Sequence, residues 1–328
     1  MKKIAVIGGG SWATAISKIL LTNLDEINWM IKDASLIEFF KKHKTNRDFL
    51  SAVLFDTNKI NFYNDINKVV EESDVLIFVV PSAFLKSTIE GLTVSLEDKY
   101  VVSAIKGIIP DDYLIVGDFF RQKYNVPTES IGIISGPSHA EEVAMERLSY
   151  LTCSSHDPRK SQILARLLEC RYIKTTSSDD IHGTEYSAVL KNIMAIAAGI
   201  CHSLGYGDNF QAVLISNAIQ EIERFVDAVH PIDRDIKGSA YLGDLLVTAY
   251  SQFSRNRLFG NMIGKGYSVK TAQLEMNMIA EGYYAVEGIK KINEKYDVYM
   301  PITNAVYNII YERIAPAIEI KILTDNLR

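Results

Sequence analysis

Cysteine and histidine are scarce in this 328-residue chain, and the few present are poorly spaced for metal or disulfide chemistry. The three cysteines, Cys153, Cys170 and Cys201, are far apart, odd in number and free of any C-x-x-C pairing. That argues against a disulfide framework or a thiolate zinc site. The six histidines show no H-x-x-x-H spacing. No metal is expected, and a reducing compartment is the reading that follows. An excess of positive charge is also missing. With 35 Lys and Arg against 40 Asp and Glu, the net charge is −5. No broad basic surface can then neutralise a nucleic-acid backbone, so nucleic acid is not the expected ligand. Long apolar runs are absent too: no stretch of about 18 apolar residues occurs, and no integral membrane segment is expected. After Lys2 and Lys3 the apolar run Ile4–Ile7 stops at three glycines, too short for the core of a signal peptide. The expected location is the cytoplasm.

What is present is ordinary globular composition, 48% hydrophobic and 23% charged. The length exceeds that at which one core usually stops growing, which predicts two domains. Up to about residue 180, short β-rich runs alternate with amphipathic segments, the pattern of a doubly wound α/β sheet. Residues 3–7, 26–31, 75–80, 100–105 and 130–134 read as strands, and 12–23 as the first helix. Beyond that, residues 185–204, 208–229, 244–253, 268–276, 280–295 and 301–313 read as helices, with no comparable strand series. The expected organisation is a Rossmann-type doubly wound domain over 1–180 and an all-α domain over 181–328.

Gly8, Gly9, Gly10, Ser11, Trp12 and Ala13 match G-x-G-x-x-G/A directly after the first strand and at the start of a helix. The first glycine allows the tight turn, the second lets the backbone approach a pyrophosphate, and a small third residue permits close helix–strand packing. The helix amino terminus offers unpaired N–H groups to the anion. A dinucleotide cofactor follows. Both NAD and NADP are expected to be usable: Asp33 lies where an acid can bind a ribose 2′-hydroxyl, and Lys32 beside it suits a 2′-phosphate, a solvated side chain being the alternative for either.

Ligands of open α/β sheets bind beyond the carboxyl ends of the strands. Three such ends carry unusual residues: Pro81 and Ser82; Lys106 and Gly107; and Gly136 to Ala140. Lys106, directly after an apolar strand, is expected to project into that crevice, a solvated lysine being the alternative. His139 has the pKa range of an acid/base, yet a loop histidine is more often only hydrogen-bonded. In the second domain, residues 189–201 carry only two polar side chains, Lys191 and Asn192. Such a helix is buried, and Lys191 sits where desolvation opposes its charge and, near the expected helix start, where the macrodipole does so as well. A lysine tolerated there has a partner or a task. A third cluster combines Asp244, which also suits a helix N-cap, with the turn Ser254, Arg255, Asn256 and Arg257, a forked cation and neutral donors fit for a phosphate.

Taken together, these motifs resemble the bacterial NAD(P)-dependent glycerol-3-phosphate dehydrogenase family along nearly the whole chain. The shared runs are GGGSWATA at 8–15, VVPS at 79–82, SAIKG at 103–107, SGPSHA at 135–140, AVLKNIMAIAAG at 188–199, LGDL at 242–245, SRNR at 254–257 and AEGY at 280–283. The resemblance implies reversible hydride transfer between NAD(P)H and dihydroxyacetone phosphate, giving sn-glycerol 3-phosphate for phospholipid synthesis. It implies cofactor contacts from Gly8, Gly10, Ser11, Trp12, Lys32, Lys106, Ala140, Arg255, Ile279 and Glu281. Substrate contacts are implied for Lys106, Gly136, Ser138, Lys191, Asp244, Ser254, Arg255 and Asn256. Lys191 would be the acid/base, with Lys106 polarising the same oxygen and Asp244 holding Lys191. The two lysines are expected to meet across the cleft between the domains. By analogy with such two-domain enzymes, a homodimer is expected. Departures are Ala13 for the third glycine, Tyr241 where the family often has glycine, and Ser216 and Asn217 where many members have Thr-Arg. A related two-domain 3-hydroxy-acid dehydrogenase and a non-catalytic cofactor-sensing module are the rival readings; the Ser254–Arg257 cluster favours a phosphorylated substrate.

Overall fold

The computed structural model describes residues 2–276 and 278–327. Its strands are β1 (Ile4–Ile7), β2 (Ile27–Met30), β3 (Ile60–Tyr63), β4 (Val75–Phe78), β5 (Tyr100–Ser103), β6 (Ile108–Ile109), β7 (Leu114–Ile115), β8 (Ile131–Ser135), β9 (Ser149–Ser154) and β10 (Ile173–Ser178). The first helices are α1 (Ser11–Asn23), α2 (Ala34–His43), α3 (Ile66–Glu71), α4 (Leu85–Thr88), α5 (Val116–Tyr124), α6 (Ala140–Ala144) and α7 (Pro158–Leu168). The later ones are α8 (Ile181–Ser203), α9 (Asp208–Val229), α10 (Asp244–Tyr250), α11 (Arg255–Gly264), α12 (Val269–Glu275), α13 (Glu281–Tyr296), α14 (Pro301–Ile310) and α15 (Pro316–Thr324).

The chain divides into two compact units. The first runs to Ile105 and resumes over Val116–Ile181; the second holds Lys106–Ile115 and the chain from His182 onward. In the first, eight strands form one sheet in the order β3-β2-β1-β4-β5-β8-β9-β10. The pairs from β3 to β8 are all parallel, which is the doubly wound arrangement of dinucleotide-binding sheets. The central strands are continuous apolar runs because both faces are covered: Ile4, Val6, Ile77, Val102 and Ile134 share one core with Ile16, Ile19 and Leu20 of α1. The sequence reading omits β3, β9 and β10. β9 pairs antiparallel with β8, and β10 pairs parallel with β9. β10 is a polar edge strand with only Ile173 fully buried, so no apolar run marks it.

The second unit is helical, as the sequence predicts, with one addition. Residues 106–115, assigned above to the first domain, belong to it through the antiparallel hairpin β6–β7. Ile108 and Ile115 are buried in the helical core, and Gly288 on α13 leaves the space that Ile108 occupies, since a Cβ there would stand 2.7 Å from Ile108 Cγ2. Burial of each such side chain favours this placement by about 1.5–3 kcal/mol. Helix α8 begins at Ile181, four residues before the predicted start, so Lys191 lies three turns inside the helix. The macrodipole argument for Lys191 therefore falls away, because that field fades within the first turn; desolvation remains. Among the described residues, no helix is long and apolar enough to cross a membrane.

Glu221 of α9 shows how this core treats a buried charge. Its carboxylate accepts the N–H groups of Ile302 and Thr303, both at 2.8 Å, and so caps the amino end of α14 from a neighbouring helix. Burial raises the carboxyl from 4.5 to about 7. The folded state then holds the proton more tightly than the unfolded chain, so stability should fall as pH rises from about 4.5 to 7 and level off above. Glu221→Gln should flatten that slope, and Glu221→Leu, leaving two buried donors unmet, should cost about 2–6 kcal/mol in urea unfolding.

Candidate active site

In the first unit the glycine turn connects β1 to α1. Gly8 has φ +136, a region open chiefly to glycine, and a Cβ on it would collide with the carbonyl of Val79. At Gly10 a Cβ would meet nothing within 4 Å, so the backbone there faces open space. Helix α1 has no side-chain cap, and its first-turn N–H groups are those an anion would meet. Ala13 is fully buried and fills the position of the third glycine. Trp29 of β2 donates its indole N–H to the Gly8 carbonyl at 2.7 Å, meets Phe40 edge-on, lies tilted against Phe55 and stacks on Phe62. That brace for the turn is invisible in the sequence pattern. A backbone cradle with an uncapped helix and open space over its second glycine fits the pyrophosphate of a dinucleotide.

Other predicted residues of this unit occupy strand ends. Gly136, just past β8, has φ +110, and a Cβ would stand 2.7 Å from the Tyr150 carbonyl. The Ser138 hydroxyl donates to the Gly136 carbonyl at 3.0 Å, and Ala140 opens α6. His139 is the residue before that helix. Lys32 donates to the Ser87 carbonyl at 3.0 Å, and Asp33 caps α2 by accepting the Ser35 N–H at 2.8 Å.

In the second unit three charged side chains converge. Lys106 Nζ lies 3.2 Å from Asp244 Oδ2, and Lys191 Nζ is ion-paired with Asp244 Oδ1. Asp244 is 1% exposed and Lys191 4%. Both lysines belong to this unit, so the meeting expected across the interdomain cleft takes place within the helical unit, because the β6–β7 hairpin carries Lys106 there. Burial lowers the Lys191 ammonium to about 7; the Asp244 carboxylate opposes this and the Lys106 charge adds to it. Burial works to raise the Asp244 carboxyl, but the two ammonium groups outweigh it and hold it below the usual carboxylate range. Two cations on one buried anion leave an excess positive charge in a dry site, the condition for stabilising a developing oxyanion.

Asp244 opens α10, with Gly243 as the cap residue, so its side chain is not an N-cap. The Thr248 hydroxyl donates to the Asp244 carbonyl at 2.6 Å, and Asn192 Nδ2 donates to the Lys106 carbonyl at 2.7 Å. Sequence motifs give neither residue a role; Asn192 is legible only as the second polar residue of the apolar stretch around Lys191. The Ser254–Arg257 turn is the start of a helix the sequence reading omits: Ser254 caps α11 by accepting the Arg257 N–H at 3.3 Å. Gly199 of α8 and Gly260 of α11 leave no room for a Cβ against each other's backbones, so the two helices pack in close contact. The Asn256 Oδ1 accepts the Gly282 N–H at 2.9 Å, joining α11 to α13, which Glu281 opens just after Ile279. Tyr241 is taken into the helical core, and Asn217 Nδ2 donates to the Val213 carbonyl at 2.9 Å within its own helix.

Residues 3–161 match the family described as NAD-dependent glycerol-3-phosphate dehydrogenase N-terminus, and residues 180–321 its C-terminus. The chain is 34% identical over 325 residues to the glycerol-3-phosphate dehydrogenase [NAD(P)+] of Bacillus subtilis, covering 97% of this chain and 93% of that one. The chain belongs to the NAD-dependent glycerol-3-phosphate dehydrogenase family. The Streptococcus sanguinis enzyme of the same name is 32% identical over 315 residues, 95% of this chain and 92% of its own. Among solved structures, the glycerol-3-phosphate dehydrogenase of Coxiella burnetii superposes with a TM-score of 0.90 at 27% identity, covering 98% of each chain. A D-mandelate dehydrogenase shares the fold alone, with a TM-score of 0.61 at 19% identity over 95% of this chain and 98% of its own. Membership of the glycerol-3-phosphate dehydrogenase family does not favour the hydroxy-acid rival, and the full-length match to named enzymes does not favour a non-catalytic sensor.

Proposed function

We propose that this protein is a glycerol-3-phosphate dehydrogenase that reduces dihydroxyacetone phosphate reversibly to sn-glycerol 3-phosphate. The observation that carries the chemistry is the buried Lys191–Asp244–Lys106 cluster, two ammonium groups sharing one carboxylate. When bound in the first unit, a nicotinamide cofactor would supply hydride chemistry for the C2 carbonyl carbon. Lys191 gives its proton to the carbonyl oxygen as the C=O electron pair moves onto it, and the neutral amine recovers a proton from solvent. Lys106 adds positive charge at that oxygen, and Asp244 keeps both ammonium groups in place. Gly8, Gly10, Ser11 and Trp12 would hold the cofactor's pyrophosphate at the amino end of α1, with Lys32, Ala140, Ile279 and Glu281 as further contacts. Ser254, Arg255 and Asn256, at the amino end of α11, would anchor the substrate phosphate, with Gly136 and Ser138 beside the substrate. The anchor orients the carbonyl for attack, so remote binding energy is used for positioning. A cytoplasmic homodimer acting on this one small phosphorylated substrate completes the reading.

The test is a substrate panel. Arg255→Ala should raise KM for dihydroxyacetone phosphate about 30- to 150-fold while changing turnover of phosphate-free dihydroxyacetone less than threefold, since a forked charge-assisted bond contributes about 2–3 kcal/mol. Equal losses for both ketones would remove the phosphate-anchor assignment. A wild-type enzyme that oxidises 3-hydroxy acids in preference would remove the activity itself.

A further inference from the structure

Beyond the end of β2, where the acid of a dinucleotide fold meets the adenosine ribose, the acid is not alone. Asp33 Oδ1 is committed to the Ser35 N–H, and Asp33 Oδ2 faces Arg47 Nη2 at 3.5 Å. The same Nη2 lies 3.4 Å from the Ser35 hydroxyl. The arginine stem is fixed by two further contacts. Its Nε donates to Asp48 at 3.1 Å, and its guanidinium lies 5.9 Å over the Phe39 ring. The turn itself is tied to the cofactor cradle. Asn46, fully buried, donates through Nδ2 to the Gly9 carbonyl at 3.0 Å and to the Thr14 hydroxyl at 2.9 Å. Its Oδ1 accepts the N–H groups of Asp48 and Phe49 at 3.1 and 3.2 Å. Arg47 is thus held at a set offset from the glycine turn, while Lys32, the cation the sequence offers for this role, is engaged with Ser87.

We propose that Arg47, with the Ser35 hydroxyl, forms the site for the 2′-phosphate of NADP, and that Asp33 serves the ribose diol of NAD. The inference rests on the dinucleotide reading of the first unit. An aspartate alone at this position repels a 2′-phosphate. A guanidinium paired to it offers an exchange: it rests on the carboxylate when NAD is bound and turns to the phosphate when NADP is bound, where a planar fork binds an oxyanion with two bonds. With NAD the carboxylate keeps its cation, and with NADP the guanidinium offsets the phosphate while Asp33 retains the Ser35 N–H, so one pocket admits both cofactors and these two side chains set their ratio.

Equilibrium binding tests this without turnover, by calorimetry with NADP⁺, NAD⁺, 2′,5′-ADP and 5′-ADP on the full chain. Arg47→Ala should weaken NADP⁺ and 2′,5′-ADP about 10- to 100-fold and leave NAD⁺ and 5′-ADP within threefold, an effect in the range of charge-assisted hydrogen bonds. Arg47→Lys should recover part of the NADP⁺ affinity, and Asp33→Asn should weaken NAD⁺ while leaving NADP⁺ equal or tighter. Losses equal for both cofactors, or absent for both, would overturn the proposal while leaving the dinucleotide site standing. A wild-type chain that binds none of the four would overturn the dinucleotide reading and the proposal with it.

Discussion

Lys191→Met should lower kcat for reduction of dihydroxyacetone phosphate about 100- to 10,000-fold while leaving cofactor affinity within a few-fold. The range is that of a lost general acid. Methionine keeps the length and apolar bulk of the stem in a site that is 4% exposed, so the fold should persist, and only the proton donor and its charge are removed. Steady-state and single-turnover rates of nicotinamide oxidation read the effect directly. The pH profile sharpens the test. Because burial lowers the ammonium to about 7, reduction by the wild type should decline as pH rises through that value, when the donor is lost. Oxidation should decline as pH falls through the same value, when the acceptor is filled. Near-normal turnover in Lys191→Met, or both limbs surviving unchanged in its residual activity, would refute the assignment.

Asp244→Asn should be the second large effect, and its signature is a combination of stability and pH. The carboxylate is the shared counter-ion of both lysines. Its loss leaves two ammonium groups facing each other in a dry site, and breaking a buried ion pair by removing one partner costs roughly 3–5 kcal/mol. That loss should shrink as pH rises and Lys191 gives up its proton. With the opposing carboxylate gone, burial and the Lys106 charge act on Lys191 unchecked, so the limb of the reduction profile should move to lower pH. A purely structural Asp244 would lower stability and leave the limb where it is. Urea unfolding at two pH values, together with the profile, separates the two.

Much of this site was legible one residue at a time. Lys191 stood out because a charge interrupts an apolar helix, and the structure shows that helix buried along the Lys191 stretch. The glycine turn was legible because a tight turn and a close anion approach demand residues without a Cβ. Lys106 and Asp244 could be named as candidates, but their common carboxylate contact spans 138 residues of sequence. Thr248 and the Asn192–Lys106 bond left no comparable mark, since threonine and asparagine on a helix are unremarkable until their partners are known. Arg47 escaped for the same reason: fourteen residues beyond Asp33, it reads as one cation in a basic stretch.

The chain by itself determined the alternating α/β pattern, the glycine turn, the helical character beyond residue 180 and the lysine set in an apolar helix, because each depends on local periodicity or on the conformational needs of single residues. Tertiary structure alone decided that the β6–β7 hairpin joins the helical core, that α8 starts before Gly183, that a polar β10 edges the sheet, and which cation stands beside Asp33. Those outcomes turn on contacts between distant segments. Burial free energy gained there overrides weak local preferences, and nothing in a short window of residues records it.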